Sequence, residues 1–144
     1  MTPETQAFLA EMIPAQIAAD REIHNGNPEP RIEQWSHTDP ISLFGAKLMS
    51  TGWNDVEPAF HEVASWFSGA KSFDIEVIHA EASGDVAFVA AIEHSEAVSE
   101  GVARKYQLRT THGYRRENGV WKITHRHADF VPDDSAPLFK ESQQ

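Results

Sequence analysis

The sequence predicts an α+β domain, and three observations carry that prediction. Apolar residues recur at helical spacing only in the first half of the chain. Beyond Gly69 they alternate with polar ones, as in half-buried strands. Asn118-Gly119 then folds the last long alternating stretch, Tyr106 to Val131, into a hairpin, since a type I′ turn needs φ > 0 at both central residues. Helices followed by about four antiparallel strands place the helices together on one face of a sheet.

Taken in order, Thr2-Pro3 is a helix start, with an N-cap and Pro at N1. Leu9, Met12, Ile13 and Ile17 form its expected buried stripe, Pro14 is expected to kink or divide it, and Asn25-Gly26 stops it. Asn27-Pro28-Glu29 starts a short helix that ends near Trp35. Ser36 to Gly52 is irregular yet rich in Ile41, Leu43, Phe44, Leu48 and Met49, so it is expected to lie over the core. Asn54 and Glu57 resemble a capping box for a helix burying Val56, Phe60, Val63 and Phe67 and ending at Gly69. Phe73, Ile75, Val77 and His79 share a strand face, as do Val86, Phe88, Ala90, Ile92 and His94. A Ser83-Gly84 loop sets Val77 opposite Ala90, Ile75 opposite Ile92 and Phe73 opposite His94.

The last hairpin carries the chemistry. With Asn118-Gly119 as its loop, Arg116 faces Trp121, Tyr114 faces Ile123, His112 faces His125, Thr110 faces His127 and Leu108 faces Asp129. All of these share one face, which begins apolar and becomes polar and titratable, as one wall of a pocket would. The other face carries Arg109, Thr111, Arg115, Lys122, Thr124 and Arg126, suited to water or a partner subunit.

Composition excludes several classes. The chain has 144 residues, 40% of them hydrophobic, which fits a single domain spanning 1–144, with a core of about 5–132 and a polar tail at 133–144. With no cysteine there is no disulfide framework, thiolate zinc site or Cys nucleophile. A net charge of −10 argues against nucleic acid and anionic membranes as partners. No apolar run approaches the roughly 20 residues of a membrane span, and the N-terminus lacks the pattern of a signal peptide. The expectation is a cytoplasmic protein.

The stretch LRTTHGYRRENGVWKITHRHAD, from Leu108 to Asp129, resembles the last two strands of the nuclear-transport-factor-2-like superfamily, in particular its SnoaL-like branch. The run Trp35-Ser36-His37-Thr38-Asp39-Pro40, followed by Leu43-Phe44-Gly45, is similar to that branch too. The hairpin also resembles the association domain of calmodulin-dependent kinases. The resemblance covers roughly residues 5 to 132. It implies a curved sheet wrapped by helices into a cone, a pocket inside and usually a dimer. It does not fix an activity, because the superfamily holds isomerases, dehydratases, cyclases, hydrolases, transport factors and oligomerisation modules. Ketosteroid-isomerase chemistry needs an early tyrosine donor, and the first tyrosine here is Tyr106.

Three readings stay open for His112, His125 and His127: acid–base or ligand contact near neutral pH, a metal site with Asp129 or Asp39, or hydrogen bonding without chemistry. Asp39 is either a turn residue before Pro40 or a desolvated carboxylate able to act as a base. If the protein is an enzyme, the expected catalytic set is Asp39, His125 and His127. Trp35, His37, Phe44, His94, Thr110, His112, Tyr114 and Asp129 would line the ligand pocket, with no metal and no cofactor. The expected activity is then a cofactor-independent isomerisation, cyclisation or dehydration of a small apolar or aromatic molecule, in a homodimer. The alternative is a noncatalytic small-ligand-binding or oligomerisation module.

Overall fold

The computed structural model describes residues 1–133 together with Ser135 and Leu138. Among these, three helices pack with one six-stranded sheet, the third of them following the two short strands. The helices are α1 (Pro3–Ile23), α2 (Glu29–Gln34) and α3 (Trp53–Ser65). The strands are β1 (Ser42–Phe44), β2 (Met49–Thr51), β3 (Phe67–Ser83), β4 (Val86–Ser99), β5 (Val102–Glu117) and β6 (Val120–Phe130), in the order β2-β1-β6-β5-β4-β3. The α+β class holds, and the four long strands are antiparallel as expected. The segment expected to be irregular contributes two short strands, of which β1 lies parallel to β6. No helix is long and apolar enough to cross a membrane among the described residues.

Helix α1 starts at the expected cap, where the Thr2 side chain accepts from the Thr5 N–H. It runs unbroken through Pro14, which sits on the exposed side of the helix, where water can take the carbonyl left free by the missing N–H. Its buried stripe is not centred on Leu9, Ile13 and Ile17, which are half-buried. Phe8, Met12, Gln16, Asp20 and His24 are all buried, one residue in four along the same face. The stripe changes from apolar to polar along its length.

Helix α3 ends sooner than predicted, and Phe67 opens β3 instead of closing the helix. Asn54 is not its cap. The N-cap is Gly52 at φ 81, which has no side chain to cap with. Val56, Ala59, Phe60 and Ala64 are its buried face. Together with Trp35, Ile41, Leu43, Trp121 and Ile123 they belong to the apolar core, where Trp35 meets Phe60 edge to face at 5.1 Å.

Two registers differ from expectation. The β3–β4 loop is Gly84-Asp85, with Gly84 at φ 62, one residue later than predicted. The later loop alone would keep the expected parity. A β-bulge at Ile78, the extra residue between Val77 opposite Ala91 and His79 opposite Ala90, sets Ile75 opposite Glu93 and Phe73 opposite Ser95. It thereby reverses the face of β4 that meets them. Ala87, Val89, Ala91, Glu93, Ser95 and Ala97 point inward, while Val86 and Phe88 are exposed and Ile92 and His94 lie outside. In the last hairpin the turn is as predicted, with Asn118 at φ 52 and Gly119 at φ 80, and the pairing holds to Tyr114 opposite Ile123. Thr124 is then an extra residue. Gly113 pairs His125, His112 pairs Arg126, Thr111 pairs His127 and Thr110 pairs Ala128. Such a bulge turns every later side chain of β6 to the opposite face. Of the two large apolar residues of the tail, Leu138 is exposed and covers no apolar edge, and Phe139 lies outside the described residues.

Candidate functional site

Because of the Thr124 bulge, the interior differs from the one the uninterrupted ladder predicts. Arg126 points inward and reaches past β5 to Glu93 on β4, giving Nη1 to Oε2 at 2.6 Å and Nη2 to Oε1 at 2.9 Å. Both residues are buried. Burial works against ionisation of Glu93, but the charge and hydrogen bonds of Arg126 outweigh it and hold the carboxyl at about 2. Arg126 Nη1 also donates to His112 Nε2 at 3.2 Å. A neutral His112 therefore carries its proton on Nδ1. Burial, reinforced by Arg126, holds this imidazole well below its usual pKa. Gln16 of α1 closes the group, donating to Glu93 at 3.3 Å and accepting from the Tyr114 hydroxyl at 3.0 Å.

A second group lies further along the α1 stripe. Asp20 and Arg31 form a buried ion pair between α1 and α2. The Asp20 carbonyl lies 2.6 Å from His24 Nδ1, so that nitrogen donates. His24 Nε2 then accepts the Tyr106 hydroxyl at 2.7 Å. Burial lowers His24 to about 4, Glu93 opposing and Arg126 adding to the shift, so it is neutral at pH 7. Burial raises the Tyr106 phenol, which stays protonated. Phe67 and Phe73 pack on the His24 ring. Ser95 and Tyr106 also border a cavity of about 480 Å3 where β6 ends at Phe130 and Val131. Most of its other lining residues, Asp74, His94 and Gln107 in one cross-strand row and Ser72, Glu96 and Lys105 in another, belong to the sheet face turned away from the helices.

Of the expected pocket residues, Trp35, Thr110, His112 and Tyr114 are inside. Thr110 donates to the Ala91 carbonyl at 3.4 Å. His125 and His127 lie on the outer face, His125 2.7 Å from the Ser42 hydroxyl and both against the Phe44 ring. Asp129 is outside too, held by Arg109 in a two-point contact of 2.6 and 3.1 Å. His94 faces outward beside Glu76. His37 is exposed, stacked on Trp53 at 4.0 Å.

Asp39 corrects the expected Asp39–His125 pairing. It is exposed, not aimed into the interior, and its Oδ1 accepts the Trp53 N–H at 2.9 Å. The carboxylate thus caps α3, where Gly52 has no side chain to do so, and favours the positive end of the helix dipole. Asp39→Ala is expected to lower stability by about 1 kcal/mol, read from urea denaturation, and an unchanged midpoint would remove this role.

The residues that sequence reasoning missed are Gln16, Asp20, His24, Arg31, Glu93, Tyr106 and Arg126. Two signals were available. Gln16, Asp20 and His24 continue the four-residue spacing from Phe8 and Met12, and Gly113 inside a strand pattern marks a bulge.

What the arrangement can do follows from its pairing. Each buried carboxylate faces an arginine, and both interior histidines are held neutral. The site therefore presents fixed hydrogen-bonding groups rather than a free base poised near neutral pH. Among the described residues no three His, Cys, Asp or Glu side chains converge on a common point as metal ligands would.

Comparison with solved structures agrees on the architecture. The chain is similar to an NTF2-like superfamily protein from Salmonella enterica, at 13% identity and a TM-score of 0.73, over 94% of this chain and 99% of that one. It is also similar to a ketosteroid isomerase-like protein from Erwinia carotovora, at 19% identity and 0.66, over 87% and 97%. An NTF2-like protein of unknown function from Pseudomonas putida aligns at 21% identity and 0.60, over 97% and 96%. At such identities these likenesses establish the fold alone. No curated protein matches in sequence. Residues 23–133 match the SnoaL-like domain, and with the NTF2-like fold around them the chain belongs to the SnoaL-like family.

Proposed function

We propose that this domain is a noncatalytic binder of a small, largely apolar or aromatic molecule, held in the interior between α1, α2 and the inner sheet face. The observation that carries this reading is the buried network of Arg126, Glu93, His112, Gln16 and Tyr114. Well-packed apolar side chains in place of a buried ion pair are often as stable or more so. A network that stability does not require is therefore read as serving recognition. Phe67, Phe73 and Leu108 supply an apolar wall beside the hydroxyls of Ser95, Thr110 and Tyr106, the mixture that small-molecule sites use. The paired carboxylates and neutral imidazoles favour binding over proton transfer. The test is a thermal-shift and calorimetric screen over small aromatic and alicyclic compounds. The double substitution Arg126→Met, Glu93→Leu, which leaves no buried charge unpaired, should abolish any hit that the parent protein binds. A hit that survives this substitution places the site elsewhere.

Self-association is the second part of the proposal. The outer face carries Phe88, Ile92, Thr111, His125, His127 and Phe44 across neighbouring strands, with Ile78 60% exposed beside them. Arg126, expected there from the uninterrupted ladder, is not part of it. A second copy packed on this face would cover these groups. Light scattering at micromolar concentration is expected to give the mass of a dimer, and a monomer would end this part of the reading.

A further inference from the structure

Three histidines stand among the apolar groups of the outer face. In one cross-strand row His125 lies between Ser42 and Gly113, with Phe88 on the next strand. In the neighbouring row His127 lies between Phe44 and Thr111, with His79 at the β3 end. Each imidazole meets an aromatic ring, His125 and His127 on Phe44 at 5.4 and 5.9 Å and His79 on Phe88 at 5.5 Å. Little charge faces them. The chain has 22 Asp and Glu against 12 Lys and Arg, yet these two rows hold one carboxylate, Glu81, which pairs with Phe88 and follows His79 on β3. Around His125, β1 offers the Ser42 hydroxyl at 2.7 Å, and β5 offers Gly113 and Thr111. Asp129 follows His127 on β6 and is already held by Arg109 of β5. Phe88 and Ala90 of β4 face His79, and Glu76, before the bulge in β3, meets His94 instead.

We propose that His79, His125 and His127 make self-association pH-dependent, two copies packing through this face while the imidazoles are neutral and parting when they take up protons. This rests on the self-association proposed above. A nearly uncharged patch on an acidic chain can pack on its own copy without like charges meeting. Protonation would bring three positive charges from each copy into a space that excludes water, with few carboxylates to receive them. Imidazole ordinarily titrates near pH 6.5, within reach of small changes around neutrality. Burial, with His127 adding to it, already lowers His125, and a covering copy would press in the same direction. Separate copies therefore take up protons that the pair refuses, so association weakens as pH falls through about 6.5. Protonation also lessens the repulsion between two chains of net charge −10, which opposes this. That repulsion is screened beyond about 8 Å at physiological salt, while the charges inside the interface are not. His94 stands apart, because its proton would strengthen the contact with Glu76.

The test is sedimentation equilibrium of the full chain at pH 7.5 and 5.5 and one ionic strength, with circular dichroism to check that the chain is folded at both. The dimer dissociation constant is expected to rise about a hundredfold or more at the lower pH, the result of one imidazole per copy held neutral in the pair. In His125→Gln and in His79→Gln, made separately, the ratio of the two constants should be smaller than in the parent. A dimer with the same constant at both pH values overturns the inference and leaves self-association standing. So does a dimer that tightens at pH 5.5, which would mean that the histidines meet carboxylates of the second copy. A full pH response retained in both variants overturns the assignment to these side chains. A monomer at both pH values overturns the inference together with the self-association on which it rests.

Discussion

Arg126→Met is expected to destabilise the domain by about 3–5 kcal/mol, the usual consequence of leaving a buried charge without its partner. Glu93 is 2% exposed and faces Arg126 through two short hydrogen bonds, so removing the guanidinium strands a carboxylate in the interior. His112 loses the donor that fixes its tautomer at the same time. Glu93→Leu should be as damaging for the converse reason. The double variant should be much less damaged than the sum of the two, because the apolar pair leaves no uncompensated charge. Urea denaturation of the four proteins in the cycle measures this. Simple additivity would mean that the two groups do not act as a pair.

Acidification from pH 6.5 to 4 is expected to remove about 3 kcal/mol through His24 alone, with His112 adding to the loss. The folded chain holds His24 at about 4, against an ordinary value of 6.5, because the ring is buried. In this window the unfolded chain takes up a proton that the folded chain refuses, so stability falls as pH falls. Below about 4 both states carry the proton and the loss from His24 is complete. Glu93 acts in a lower window. Its folded value of about 2 lies below the ordinary 4.5, so its contribution is kept above 4.5 and fades only as pH drops towards 2. Stability measured in urea at each pH should therefore bend first between 6.5 and 4. In His24→Gln that first slope should shrink, and an unchanged slope would contradict the assignment.

The fold was legible because its strongest signals are local. The Thr2 cap, the Asn118-Gly119 turn and the alternation of β3 to β6 each depend on a few neighbouring residues. The gradient from apolar to titratable on the inner face was also legible in kind, though not in membership. Faces depend on counting residues from a turn, and one extra residue reverses everything beyond it. Thr124 did this to His125, Arg126 and His127, and the bulge at Ile78 did it to Glu93 and His94. Hydropathy favoured the wrong faces, because the true inner residues of β4 are mostly alanine, with Glu93 and Ser95 among them. Val86, Phe88 and Ile92 look like core and are turned outward. Asp39 lay beyond local reading for another reason: its partner, the Trp53 N–H, is fourteen residues away across two short strands.

The account turns on the bulge at Thr124, which brings Arg126 in to Glu93 and sends His125 and His127 out. Cross-strand nuclear Overhauser effects in the labelled protein test it most directly, because backbone pairing can be read whatever covers either face. The account predicts that Thr110 pairs with Ala128 and Thr111 with His127. Cross-peaks pairing Thr110 with His127 and His112 with His125 would mean an uninterrupted ladder. The histidines would then line the interior and Arg126 would not.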